Sequence, residues 1–298
     1  MRLSDEMGDV RFYRVAGFVF GVSSPYEGLL DSMTNLAPFR EDGSAEENIF
    51  SLRITDSPLE DGRELIFRTD DGPLFPEISI STAKEGWHIN VRPLPKLSEA
   101  SQMWIKEDFT EAKLHFLRQE KRMFALNNAL MLMFSFSTAC RGALEMHSSV
   151  VMNGGKGYLF LGRSGTGKST HSRLWIKNIP GTVLLNDDNP ILRLMPDGTP
   201  RVFGSPWSGK TPCYRNVSYP VGAIVRLSQA PHNEIRRLKG VAAYAALVPS
   251  ISGKRWDKHQ AEGLHETENL LAQYARVFHL DCLPDEDAAR VCFGAVVE

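Results

Sequence analysis

Apolar and polar positions alternate over short stretches through residues 1–95. VRFYRVAGFVFGV, NIFSLRIT, ELIFRT, EISIS and WHINVRPL are rich in β-branched and aromatic residues, and Gly, Pro and Asp clusters separate them. That pattern predicts strands. One short helix is expected at Glu27–Thr34. The two prolines of RPLPKLSEAS (92–101) read as a linker, which places a domain boundary near residue 97. A helical stretch follows at roughly 118–142. Its uncharged part, MFALNNALMLMFSFSTAC (123–140), is interrupted by Asn127, Asn128, Ser135, Ser137 and Thr138. The continuous apolar core, Ala129 to Phe134, is far shorter than the roughly 20 residues a membrane span needs, so a buried core helix is predicted.

After residue 143 strands and helices alternate. HSSVVMN and KGYLFLG flank Asn153-Gly154-Gly155, a hairpin signal. A helix is expected from the end of the second strand to about Lys177, then a short buried strand, TVLLNDD (182–188). ILRLM and RVFGS flank a second turn, Pro196-Asp197-Gly198, and GAIVRLSQ with EIRRL looks like a third hairpin. Helices at about 240–248 and 258–276, a strand VFHLDCL, and a last helix opened by Pro284 complete the pattern. The expected fold is α/β with a mixed sheet, preceded by a β-rich domain. The divisions are 1–97, a β-rich accessory or recognition domain, and 98–298, with a helical lead-in at 98–142 and a core at 143–298.

Composition narrows the partners. Lys plus Arg number 34 and Asp plus Glu 36, a net charge of −2, so no basic footprint for nucleic acid exists. Four cysteines, none at CxxC spacing, argue against a zinc site or a disulfide framework. The polar, acidic N-terminus carries no apolar signal segment. A cytoplasmic protein without a membrane partner is expected, and a homo-oligomer is compatible with the composition.

The chemistry concentrates at Gly162-Arg163-Ser164-Gly165-Thr166-Gly167-Lys168-Ser169, a full GxxxxGK[ST] match. Glycines let the backbone curl so that successive N–H groups face phosphate oxygens. Lys168 supplies a compact charge to the β- and γ-phosphates, Ser169 a hydroxyl to Mg²⁺, and Thr170 extends the binding segment. A chance match in a chain this long is on the order of one in a hundred. The loop also lies between an apolar strand and a helix, as the mechanism demands. ATP and Mg²⁺ are the cofactors expected.

Asp187 and Asp188 end the next strand. Two acids beside such a loop permit a division of labour: one serves the metal, the other takes a proton from an attacking hydroxyl. The same residues also suit a plain strand-ending turn, Asn-Asp-Asp-Asn-Pro. His147 precedes the loop by one strand. GSPWSGKTPCYRN (204–216) carries Lys210 and Arg215 in a Gly/Ser/Pro-rich context, the composition of a mobile lid over phosphates or of an ordinary surface loop.

MHSSVV, KGYLFLGRSGTGKST and LLNDDNPI, in that order and spacing, resemble the catalytic domain of HPr kinase/phosphorylase and its relatives, which share a nucleotide-binding core with ATP-dependent phosphoenolpyruvate carboxykinases. The resemblance covers roughly 140–295. It implies a carboxykinase-type core, Asp187 or Asp188 as the general base with the other acid near Mg²⁺, and His147 near the phosphates. The RPGR-type arginine motif of HPr kinases is absent, so recognition of HPr is not implied. Three functions follow: a kinase acting on a hydroxyl of a protein or small molecule, a carboxykinase-like enzyme whose second metal would need His171 and Lys210, and a nucleotide sensor without turnover.

Overall fold

The computed structural model describes residues 8–42, 47–69, 72–73, 76–209, 211–255 and 257–297. The chain forms a mixed α/β fold whose N-terminal part is rich in strands, as the residue pattern predicts. Two compact units divide it, Met1–Ser137 and Thr138–Glu298.

The first unit is one nine-stranded sheet: β1 (Asp9–Val15), β2 (Phe18–Ser24), β3 (Arg40–Glu41), β4 (Asn48–Thr55), β5 (Leu65–Arg68), β6 (Glu77–Ala83), β7 (Gly86–Arg92), β8 (Ser101–Lys106) and β9 (Glu111–Phe116), followed by α1 (Arg122–Thr138). Spatial order is β3-β1-β2-β4-β9-β8-β7-β6-β5. The first expected strand is a hairpin. Ala16 (φ 49°) and Gly17 (φ 84°) both take positive φ, the two-residue turn that matches strand twist.

Three expectations change here. The helix at Glu27–Thr34 is a run of turns: Ser32 Oγ donates to the Leu29 carbonyl at 2.6 Å, competing with helical pairing, and the apolar positions Leu29, Leu30 and Met33 serve to anchor the segment. The prolines of 92–101 mark a connection between β7 and β8 within the sheet, where Ala100 N–H donates to the Val91 carbonyl. The unit therefore continues past residue 97 and ends at Ser137, because β8 and β9 complete the sheet and Phe134 of α1 packs edge-on against Phe18 and Phe20. Burial of Leu126, Leu130, Met133 and Phe134 at helical spacing explains the uncharged helix. Among the described residues no helix is long and apolar enough to cross a membrane.

The second unit contains β10 (Ala143–Glu145), β11 (Ser148–Asn153), β12 (Lys156–Leu161), α2 (Lys168–Asn178), β13 (Val183–Asp188), β14 (Ile191–Leu194), β15 (Pro200–Phe203), β16 (Ser218–Gln229), β17 (Glu234–Leu238), α3 (Val241–Leu247), α4 (Lys258–Tyr274), β18 (Val277–Cys282) and α5 (Glu286–Val297). Its central sheet runs β13-β11-β12-β16-β18-β17. β16 is parallel to both β12 and β18, and the remaining pairs are antiparallel, so the sheet is mixed. The first residues of β16 also pair with β15, which carries β14 and β10. The expected β16–β17 hairpin does not form. β18, apolar enough to be buried centrally, inserts between them.

Alternate residues of β12 and β16 face two cores. Phe160, Val225 and Leu227 pack with Trp175 of α2 and Cys292 of α5. Leu159, Leu161 and Ile224 pack with Leu247 of α3 and Leu264 of α4. Two helical layers thus hold the strand ends rigidly, and the chemistry predicted from sequence lies at those ends.

Candidate functional site

The loop 162–167 joins β12 to α2. Gly162 (φ 155°) passes under Thr166, whose side-chain atoms lie 3.0 Å from where a Cβ would stand, so a side chain there meets both strain and collision. Gly167 (φ 108°) turns the chain into α2 directly before Lys168. Gly165 takes positive φ as well, and the Thr166 N–H donates to the Arg163 carbonyl at 3.1 Å; glycine-rich backbone of this kind at a helix start is the type that receives anions. Ser172 Oγ lies 2.6 Å from Ser149 Oγ, a buried contact that fixes the first turns of α2 to β11.

Lys168 is 9% exposed, and its Nζ donates to the Gly162 carbonyl at 2.9 Å. Burial lowers its pKa, while the nearby Asp188 and Asp187 charges act to keep the ammonium protonated. Ser169 Oγ donates to Asp187 Oδ1 at 2.9 Å. Asp187 is buried, and its carbonyl accepts from Gly209 N–H at 2.6 Å and from Ser208 Oγ at 3.3 Å. A carboxylate and a hydroxyl this close are hard oxygen donors suited to Mg²⁺, which takes few protein ligands and completes its shell with water and phosphate. The residues present fit that ion. Among the described residues no group of three or more His, Cys, Asp or Glu side chains forms a richer metal site.

Asp188 is placed differently. It has φ 149°, an uncommon conformation for a residue with a side chain. Its Oδ1 lies 3.3 Å from His147 Nδ1. Burial raises the Asp188 pKa above the ordinary carboxylate range; His147 and Lys168 oppose the shift and Asp187 adds to it. The strand end therefore separates the two acids. One is joined to the serine hydroxyl, the other to a histidine.

Asn186 orders the segment beyond. Fully buried, its Nδ2 donates to Ser205 Oγ at 3.2 Å and to the Trp207 carbonyl at 3.2 Å. Ser205 Oγ donates to the Asn189 carbonyl at 2.5 Å, and Trp207 is 1% exposed. Of the segment 204–216, read from sequence as a lid or an ordinary surface loop, the first half is anchored by these hydrogen bonds. Lys210 lies outside the described residues. Arg215 is exposed and stands beside the Cys213 thiol, without an ion pair to either acid. Arg163 is also exposed; it shares an open cavity of about 420 Å³ with Arg226.

Two residues escaped the sequence reading as parts of this site. Glu145, at the end of β10, is buried, and burial together with the Asp188 charge pushes its carboxyl up to about 8. An acid inside the apolar run ALEM was the available signal. His171 was noted only as a metal candidate. It is 3% exposed, and its Nε2 accepts a hydrogen bond from Trp175 Nε1 at 3.1 Å, which removes that nitrogen from metal binding. It borders a cavity of about 620 Å³ with Thr170, Leu174, Leu227 and Leu283.

The chain matches no protein-family model and no curated protein.

Proposed function

We propose that the protein is a Mg·ATP-dependent kinase that transfers the γ-phosphoryl group to a hydroxyl of a protein or small molecule. The observation that carries this reading is the split of the acid pair: Asp187 joined to Ser169, Asp188 joined to His147, both within the electrostatic reach of Lys168. The order of these residues along the chain is the order in which HPr kinase catalytic domains carry theirs, and that resemblance supports the same reading.

In this mechanism the loop N–H groups and Lys168 hold the β- and γ-phosphates. Ser169 and Asp187 would hold Mg²⁺, which when bound would supply positive charge against the charge developing on the transferred group. Asp188 takes the proton of the acceptor hydroxyl as its oxygen attacks γ-phosphorus. The bond from γ-phosphorus to the bridging oxygen breaks, and ADP leaves with that electron pair. A raised carboxylate pKa suits this role, because a base works best when its pKa lies near the operating pH. His147 orients the carboxylate and stabilises its charged form.

Engagement of His171 by Trp175 weighs against a carboxykinase with a second metal at that histidine. The four cysteines are free, which supports a reducing compartment such as the cytoplasm. The test is transfer of labelled γ-phosphate from Mg·ATP into small-molecule and macromolecular fractions of a cell extract, with Lys168→Ala as control. A Lys168-dependent product is expected. ATP binding without any such product would replace the kinase by a nucleotide sensor.

A further inference from the structure

Among the described residues, the cavity beside the loop is lined mainly by apolar side chains and by no charged residue. A space of that character beside a phosphate-binding loop suits a neutral ring and not a further phosphate. Gln229 at its rim is already committed, donating to the Gly165 and Thr166 carbonyls at 3.3 and 3.5 Å. His171 is different. Trp175 is fully buried, and an indole N–H can only donate. Since Trp175 Nε1 donates to His171 Nε2, that nitrogen carries no proton. The proton of the neutral ring therefore resides on Nδ1. Phe160 packs edge-to-face on the imidazole at 4.6 Å, and among the described residues the ring makes no second hydrogen bond.

We propose that this cavity takes the purine ring of the nucleotide, and that His171 Nδ1–H is a fixed donor reading a ring-nitrogen acceptor of that base. The inference rests on the nucleotide reading above. Leu174, Leu227 and Leu283 give apolar contact that any base could use. Discrimination then falls to the one donor whose orientation Trp175 has set. A buried site built to make a hydrogen bond rejects a ligand lacking the acceptor, because the donor is left unpaired. His171 is thus assigned as a specificity-determining residue, with Trp175 as its positioning residue.

Calorimetric titration with Mg·ADP, 7-deaza-ADP, 3-deaza-ADP and CDP tests this in the full-length chain. The wild-type protein is expected to bind one deaza analogue and CDP about tenfold more weakly than ADP, the size of one neutral hydrogen bond. His171→Phe keeps an aromatic ring and loses the donor; it should bind ADP about tenfold more weakly and no longer separate ADP from the analogue. A merely structural role would weaken all ligands alike and leave the discrimination in place. The proposal is overturned if the wild-type protein binds both deaza analogues and CDP as tightly as ADP, or if His171→Phe still discriminates. Should His171→Phe not fold, the wild-type analogue series decides alone. Absence of ADP binding to the wild-type protein would sink the nucleotide reading itself, whereas ADP binding without discrimination sinks only this inference.

Discussion

Asp188 Oδ1 and His147 Nδ1 lie 3.3 Å apart, joining the end of β13 to the residue just before β11. The contact depends on an irregular backbone. Asp188 pairs with Ser148 in register, yet its positive φ departs from regular strand geometry. Such a conformation costs of order 1–3 kcal/mol and persists only where surrounding contacts over-determine it. Here the Asp187 carbonyl held by Gly209 and Ser208, and the bridge from Asp188 to Ser208, supply those contacts.

That pairing gives a pH prediction. A general base must be unprotonated, so turnover should rise with pH through the Asp188 pKa, which burial has raised. His147 lowers that pKa. Its replacement by Ala should therefore move the acid limb of the pH–rate profile to higher pH. Asp188→Asn should reduce turnover by about 10²–10⁴-fold, the usual worth of a positioned base, while leaving Mg·ADP affinity within a few-fold. Steady-state rates between pH 5 and 9, with calorimetric ADP binding, check both. An acid limb that does not move in His147→Ala removes the histidine from this role.

Glu145 makes a separate prediction, on stability. Its carboxyl is raised from 4.5 to about 8 in the folded chain, so the folded state binds the extra proton between those values. Stability from this group is full below about pH 4.5 and declines as pH rises to about 8. Glu145→Gln imitates the protonated acid and should flatten that decline. Thermal melts at pH 5, 6.5 and 8 check it: the wild-type protein should lose more Tm across the range than the variant. Equal slopes would mean that Glu145 ionises without cost.

What the sequence disclosed of this site follows from how local each feature is. The loop is legible because every demand on it, glycine φ, lysine charge and serine hydroxyl, is met within eight consecutive residues. Asp187 and Asp188 are legible as a pair able to divide two roles, but not as to which acid takes which. Their separation depends on Ser169 and His147, which reach them from α2 and from the start of β11. The anchoring of Ser205 and Trp207, in the first half of 204–216, was hidden for a related reason. Gly, Ser and Pro read as mobile until Asn186, eighteen or more positions away, is seen to hold Ser205 and Trp207. In the first unit the signal was present but overruled. SQMWIK and EAKLHF bury alternate residues, Met103 and Ile105, then Ala112, Leu114 and Phe116, yet the preceding prolines read as a boundary. Prolines mark a turn; whether that turn ends a domain depends on strand pairing that no local window contains.

Trp207 tests the anchoring directly. It is among the largest fully buried side chains, and its carbonyl is held by Asn186 and Ser205. Trp207→Ala should cost about 3–5 kcal/mol of stability, the range for an aromatic side chain truncated in a core. Denaturant unfolding measures it. A loss under about 1 kcal/mol would mean that the segment is as loose as its composition suggests.

Ser169 allows metal binding to be separated from phosphate binding. Its hydroxyl touches Asp187, and in the proposed mechanism that pair holds Mg²⁺ whereas the loop N–H groups and Lys168 hold phosphate. Ser169→Ala should thus leave metal-free ADP binding nearly unchanged and weaken the gain that Mg²⁺ brings. Lys168→Ala should do the opposite. It removes a charge-assisted contact worth about 1.5–3 kcal/mol, so ADP binds roughly ten- to a hundredfold more weakly with or without the metal. Titrating ADP at zero and at saturating Mg²⁺ for the wild-type protein and both variants resolves the two contributions. If Ser169→Ala retains the full Mg²⁺ dependence, the ion is held elsewhere, and the 2.9 Å contact from Ser169 to Asp187 is simply a helix-to-strand clasp.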